Sequence, residues 1–162
     1  MNTELVYHVY KHVIPAALDL LPSRMDTPEA KAMLIAMGLQ ESRFEHRKQL
    51  GGPAHGFWQF EKNGGVRGVI ELPLVGPILV PVLETLNYER LTTQCYEAIV
   101  HNDILACVFA RLFLYTAPGR LPQQGEAELG WQNYVKTWRP GKPHRRTWDA
   151  FFSEAWRVVT EE

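Results

Sequence analysis

Hydrophobic positions recur along most of this chain at helical spacing, broken by proline and glycine punctuation. The apolar run from Val13 to Leu21 is interrupted by Pro15 and Asp19 and preceded by His8 and Lys11, the mixture of an amphipathic helix. A first helix is predicted over Glu4 to Leu20, broken or kinked near Pro15, because proline lacks the amide that an interior turn needs. Thr27-Pro28-Glu29 then supplies a capping hydroxyl, a first-turn proline and an acid at the positive helix end. The helix it opens, Pro28 to about Glu41, is apolar almost all round through Met33, Leu34, Ile35, Met37 and Leu39, so it should be buried.

The pattern changes after Gly51-Gly52-Pro53, a turn. His55 to Phe60 is a short aromatic stretch that suits a small hairpin, ended by Asn63-Gly64-Gly65. A short helix over Val66 to Glu71 follows, then a proline-spaced covering loop leading into a helix from about Pro81 to Leu86. Asn102 or Asp103 caps the most hydrophobic helix, Ile104 to Tyr115, whose only charge is Arg111. Pro118-Gly119 stops it. A further helix covers Glu126 to Trp138, and the last, Thr147 to Val159, sets Trp148, Phe151, Phe152, Trp156 and Val159 on one packing face. The fold class is mainly α.

Composition narrows the functions open to such a fold. Its 162 residues, 46% hydrophobic and 22% charged, suit a single domain over residues 1–162 and argue against disorder. A net charge of −1 argues against nucleic acid as a partner. The longest apolar stretch, Leu72 to Leu83, is short for a bilayer and holds Pro73, Pro77 and Pro81, so no membrane span is expected. No export signal is expected either, since no small-residue cleavage site follows the first apolar run. Cys95 and Cys107 sit among residues read as helical, as buried free thiols or a disulfide.

Among side chains able to do chemistry, Glu41 stands out. It ends the buried helix, where the negative end of the dipole and apolar neighbours both disfavour a carboxylate and raise its pKa. Glycoside cleavage uses such a group, because a carboxylic acid must keep its proton near neutrality to protonate a leaving oxygen. A glutamate near a helix end is otherwise an ordinary surface residue. The histidines at 46, 55, 101 and 144 are scattered and no Cys-x-x-Cys occurs, so no metal is expected. Ser42 and Ser153 lack a Gly-x-Ser-x-Gly context, and no phosphate-binding loop or other cofactor motif is present.

Glu41-Ser42-Arg43-Phe44, followed after a glycine-proline loop by Gly56-Phe57-Trp58-Gln59-Phe60, resembles the soluble lytic transglycosylase and goose-type lysozyme group. The resemblance reaches from about Pro28 to Trp148 and is strongest between Glu41 and Phe60. It implies a lysozyme-like helical domain with a small β-hairpin flanking the active-site cleft. Glu41 would then be the acid, with Ser42 supporting it, and the Gly56–Phe60 segment with Gln59 would bind sugar. Trp58 either stacks on a pyranose face or fills the core. That group's third motif has a tyrosine whose hydroxyl approaches the acid. Tyr115 keeps more of the local motif and Tyr134 has the better placement, following the apolar central helix, and is preferred.

Trp138-Arg139-Pro140-Gly141-Lys142-Pro143 is similar to a stretch near the end of lysozyme-like proteins of bacteriophages and prophages. The implied activity is cleavage of the β-1,4 bond between N-acetylmuramic acid and N-acetylglucosamine in peptidoglycan glycan strands. An inactive peptidoglycan-binding or virion structural protein on the same fold is the alternative. Glu61, beyond the hairpin, is the candidate second carboxylate of a two-acid hydrolase, whereas a lytic transglycosylase needs only Glu41. Synthesis in the bacterial cytoplasm and action on the cell wall are expected, with delivery through a holin or on the virion.

Overall fold

The computed structural model describes residues 1–161 and is mainly helical. Helix α1 (Thr3–His8) runs through a π-helical stretch (Val9–Val13) into α2 (Ile14–Leu18). Pro15 has no amide to offer the turn before it, and the ladder widens there instead of breaking. Helix α3 (Pro28–Ser42) begins where the Thr27 hydroxyl accepts from the Ala30 amide at 3.1 Å. Its residues from Ala32 to Leu39 are all buried.

A π-helical turn (Lys62–Val66) leads into α4 (Arg67–Glu71) and then α5 (Gly76–Leu86). The proline-spaced run is therefore not a loop up to Pro81; α5 starts at Gly76. Pro77 sits in its first turn, where amides lack partners anyway. Pro81 and Pro77 both lie on the exposed side, so the Pro77 carbonyl that Pro81 cannot satisfy can meet water. Helix α6 (Thr92–His101) carries Cys95 and abuts α7 (Asp103–Tyr115). Of the two candidate caps for α7 it is Asn102 that accepts from the Leu105 amide, at 3.0 Å, while Asp103 pairs with Arg47. Both cysteines are free and buried. Burial pushes the Cys95 thiol up to about 11 and the Cys107 thiol higher still.

Helices α8 (Ala127–Trp138) and α9 (Arg145–Thr160) complete the chain. The most extensive packing is between α3 and α9, and α7 fits against α2 and α3, so α3 is enclosed along most of its length. The predicted face of α9 is buried at Trp148, Phe151, Phe152 and Trp156, with Val159 partly so. No single helix among the described residues is long and apolar enough to cross a membrane; the segments Lys62–Glu71 and Gly76–Leu86 are bent by 100° relative to each other.

The expected β-hairpin is not formed. Among the described residues there are only two isolated bridges, Lys48 to His55 and His55 to Phe60. Strand pairing needs side chains that alternate between two faces. Here Phe57 and Trp58, adjacent in sequence, are both buried in the core, so no ladder can extend. What remains is a tight turn closed by reciprocal amide–carbonyl bonds between His55 and Phe60, at 2.9 and 2.8 Å.

Candidate active site

Everything about Glu41 follows from how α3 ends. Arg43 and Phe44 both adopt left-handed backbone conformations, with φ of 53° and 58°, and the chain reverses immediately after the acid. Two such residues cost about 1–2 kcal/mol each without compensation. Compensation comes from Phe44, whose ring folds back under the helix at Gly38; a Cβ there would meet Phe44 Cε1 at 2.1 Å. Burying that ring contributes about 1.5–3 kcal/mol. Ser42 fastens the reversal: its hydroxyl donates to the Phe57 carbonyl at 2.7 Å and accepts from the Phe44 amide at 3.1 Å. Ser42 is thus a strut joining the helix end to the aromatic turn.

The Glu41 side chain stands at a cleft of about 1140 Å³. The Tyr134 hydroxyl donates to Glu41 Oε1 at 2.5 Å. Burial pushes the carboxyl up from 4.5 to about 7, against the opposing pull of the Tyr134 hydrogen bond. Burial and the adjacent Glu41 carboxylate raise the Tyr134 phenol, so it stays a donor. Tyr134 is positioned by stacking: its ring lies 5.3 Å from Trp148, at 5° between planes. Trp148 is itself pinned by its indole N–H to the Ala127 carbonyl at 2.8 Å.

Of the two candidate tyrosines, only Tyr134 reaches the acid. Tyr115 instead lies beneath the buried Arg111 guanidinium, 5.8 Å away, and does not line the cleft. Burial lowers Arg111 to about 10, and its Nε donates to the Met25 carbonyl at 2.9 Å. This corrects Tyr115 as a substrate contact: its ring shields a core cation.

Trp58 requires a second correction. It is fully buried, and its indole N–H donates to the Leu34 carbonyl at 2.8 Å. No face is free for a pyranose. Its carbonyl, however, accepts from the Trp138 indole at 2.9 Å and so fixes the far wall of the cleft. Gly56, at φ +79°, is also buried, and a Cβ there would meet Ile99 Cγ2 at 2.5 Å. Its role is to let the turn lie on α6, where His55 stacks on Tyr96 at 3.7 Å.

Gln59 does line the cleft; its Nε2 donates to the Gly56 carbonyl at 2.8 Å, leaving the amide oxygen for a ligand. Glu61 is exposed and lines the same cleft, and with Glu41 it makes up the carboxylates there.

Gln40 was not anticipated from sequence. Its Nε2 donates to the His144 carbonyl at 2.9 Å and its Oε1 accepts from the Thr147 hydroxyl at 3.0 Å. It therefore ties the acid's own turn to the start of α9 and to the strap of residues 139–144. The signal available was the buried helix itself, since a polar residue beside its last turn needs a partner. The His8–His12 pair, four residues apart, also escaped the expectation of scattered histidines; the rings lie 5.3 Å apart. Among the described residues no group of three or more His, Cys, Asp or Glu side chains could hold a metal ion.

Compared with known proteins, the chain matches no family model, no curated protein and no solved structure.

Proposed function

We propose that this protein is a peptidoglycan-cleaving muramidase of the lytic transglycosylase kind, acting on the β-1,4 bond between N-acetylmuramic acid and N-acetylglucosamine, with Glu41 as general acid and then base. The observation that carries the reading is a cleft carboxyl raised to about 7 by burial and held by a tyrosine hydroxyl at 2.5 Å. With Tyr134 donating to Oε1, the acid proton resides on Oε2 and is available to the glycosidic oxygen. Protonation there lets the C1–O4 bond break with the electron pair leaving on oxygen. The Glu41 carboxylate so formed takes the proton of the muramyl C6 hydroxyl as that oxygen bonds to C1. Glu41 is then restored as the acid, and a 1,6-anhydro sugar results. Tyr134 stabilises the intervening carboxylate through the same hydrogen bond.

The Glu-Ser and Gly-x-x-Gln resemblance supports this reading; Glu61, the other carboxylate of the described cleft lining, is the residue a two-acid hydrolase would need. The similarity at Trp138–Pro143 favours a phage or prophage origin, with action on the wall after holin-dependent release or from the virion. Digestion of purified sacculi followed by mass spectrometry tests the reaction: anhydro termini are expected, lighter by one water than reducing ends. Reducing ends alone, with Glu61→Gln as inactive as Glu41→Gln, would establish a two-carboxylate hydrolase instead. No cleavage at all would leave a binding protein on this scaffold.

A further inference from the structure

One wall of the cleft is cationic in a protein whose net charge is −1. Lys136, Arg139 and Lys142 all line it and all are exposed. Elsewhere Lys31, Arg47, Arg67, Arg120, Arg145 and Arg157 each pair with a carboxylate, whereas the cleft gathers three cations that do not. Among the described residues none of the three cleft cations forms an ion pair; Arg139 has only a 3.5 Å contact to the Lys136 carbonyl. Their strap is preorganised at both ends. Trp138 donates to the Trp58 carbonyl on one side and Gln40 donates to the His144 carbonyl on the other. Arg139 itself caps α8 in a left-handed conformation, φ 49°, which turns the strap along the cleft. Lys136 lies two residues beyond Tyr134, on the helix that supplies the contact to the acid. Unpaired cations in a concavity focus a positive field on whatever enters.

We infer that the Lys136–Arg139–Lys142 wall is a carboxylate-reading subsite, which binds the acidic 3-substituent of muramic acid and makes the protein discriminate among strands by the charge of that substituent. This rests on the reading of the cleft as a glycan site. The carboxylate is a free acid of the peptide stem or, on muramic acid without a stem, the lactyl group. Amidation of stem acids would then weaken recognition without altering the sugar backbone.

The test measures binding to Glu41→Gln protein, which keeps ligands intact, and separately cleavage by the wild type. The probes are a muropeptide oligomer with free-acid stems, the same oligomer amidated, strands stripped of stems, and chitin of equal length. The acidic oligomer is expected to bind about tenfold tighter than chitin, the sum of a few exposed charge pairs. That preference should shrink as salt is raised. Adding Lys136→Gln, Arg139→Gln and Lys142→Gln together should abolish it, and Lys142→Glu alone should reduce it, with circular dichroism checking the fold. Stem-stripped strands expose a lactyl acid that is amide-bonded while a stem is attached, so preference seen there as well shows that the wall accepts either carboxylate, and preference confined to the stem-bearing oligomer restricts it to stem acids. Equal binding of all four probes, or a preference that survives the triple substitution, overturns the inference. If charge governs binding while the wild type cleaves none of the four, the inference stands and the enzymatic reading falls.

Discussion

The molecule contains the same pair of side chains twice, with opposite outcomes. At the cleft, Tyr134 donates to Glu41 at 2.5 Å; at the surface, Tyr7 donates to Glu161 at 2.9 Å. The first carboxyl is raised to about 7, whereas the second is lowered, chiefly by its hydrogen bond from Arg157 and then by that from Tyr7. A tyrosine hydroxyl favours the carboxylate in both places. What separates them is water and a cation: Glu41 is largely desolvated and has no arginine, while Glu161 is exposed and has one. The tyrosine therefore does not make an acid. It orients one that burial has already made, and limits how far the pKa climbs.

The largest effect that breaks this comparison is on turnover. Glu41→Gln should lower cleavage of sacculi by about 10² to 10⁴-fold, as loss of a general acid does, while Glu161→Gln should leave it unchanged; a turbidity assay on cell walls separates them. Retention of more than about a tenth of the activity by Glu41→Gln is incompatible with its being the acid.

The next effect is on stability. The folded pKa of Glu41, about 7, lies above its unfolded value of 4.5, so folding binds the proton. That contribution is complete below pH 4.5 and is lost as pH rises through 7. Glu41→Gln has no such titration and can still accept from Tyr134. Its stability relative to the wild type should rise across that window by up to about 3 kcal/mol. Urea denaturation on both sides of the window measures it, and a difference independent of pH would mean the carboxyl is not strained.

Tyr134→Phe sharpens the comparison with less force. The ring still stacks on Trp148, but the bond that holds the carboxyl down is gone, so the alkaline limb of the kcat/KM profile should move up by about one pH unit and the maximum fall about tenfold. An unmoved limb would mean that the hydroxyl does not govern the acid. Tyr7→Phe should be the weakest change of all, leaving activity and melting temperature within error, because exposed networks contribute little.

Which parts of this were legible beforehand follows from the range of the forces involved. Thr27, Asn102 and the packing face of α9 act within a turn or two of helix, and periodicity reveals them. Glu41 was legible as the end of an apolar helix, and its pairing with Tyr134 only as a preference over Tyr115. The aromatic turn was misread because Phe57 and Trp58 suit a strand by type, yet burial of both denies them alternate faces. Trp58 as a sugar platform failed for the same reason: the Leu34 carbonyl claims its polar edge. Gln40's bonds to His144 and Thr147, and the anchoring of Trp138, join segments 80 to 107 residues apart and leave no local trace.

Those same spans give the acid a history during folding. The hydrogen bond from Tyr134 to Glu41 bridges 93 residues, and that from Gln40 to His144 bridges 104. Contacts of such separation form late, since loop closure must precede them. Until α8 and α9 dock, α3 lacks the partners that enclose it and Glu41 is a solvated glutamate with an ordinary pKa. The raised pKa therefore belongs to the last stage of assembly, and a chain paused on the ribosome before Tyr134 emerges carries every atom of Glu41 but a carboxyl that has already lost its proton at neutral pH.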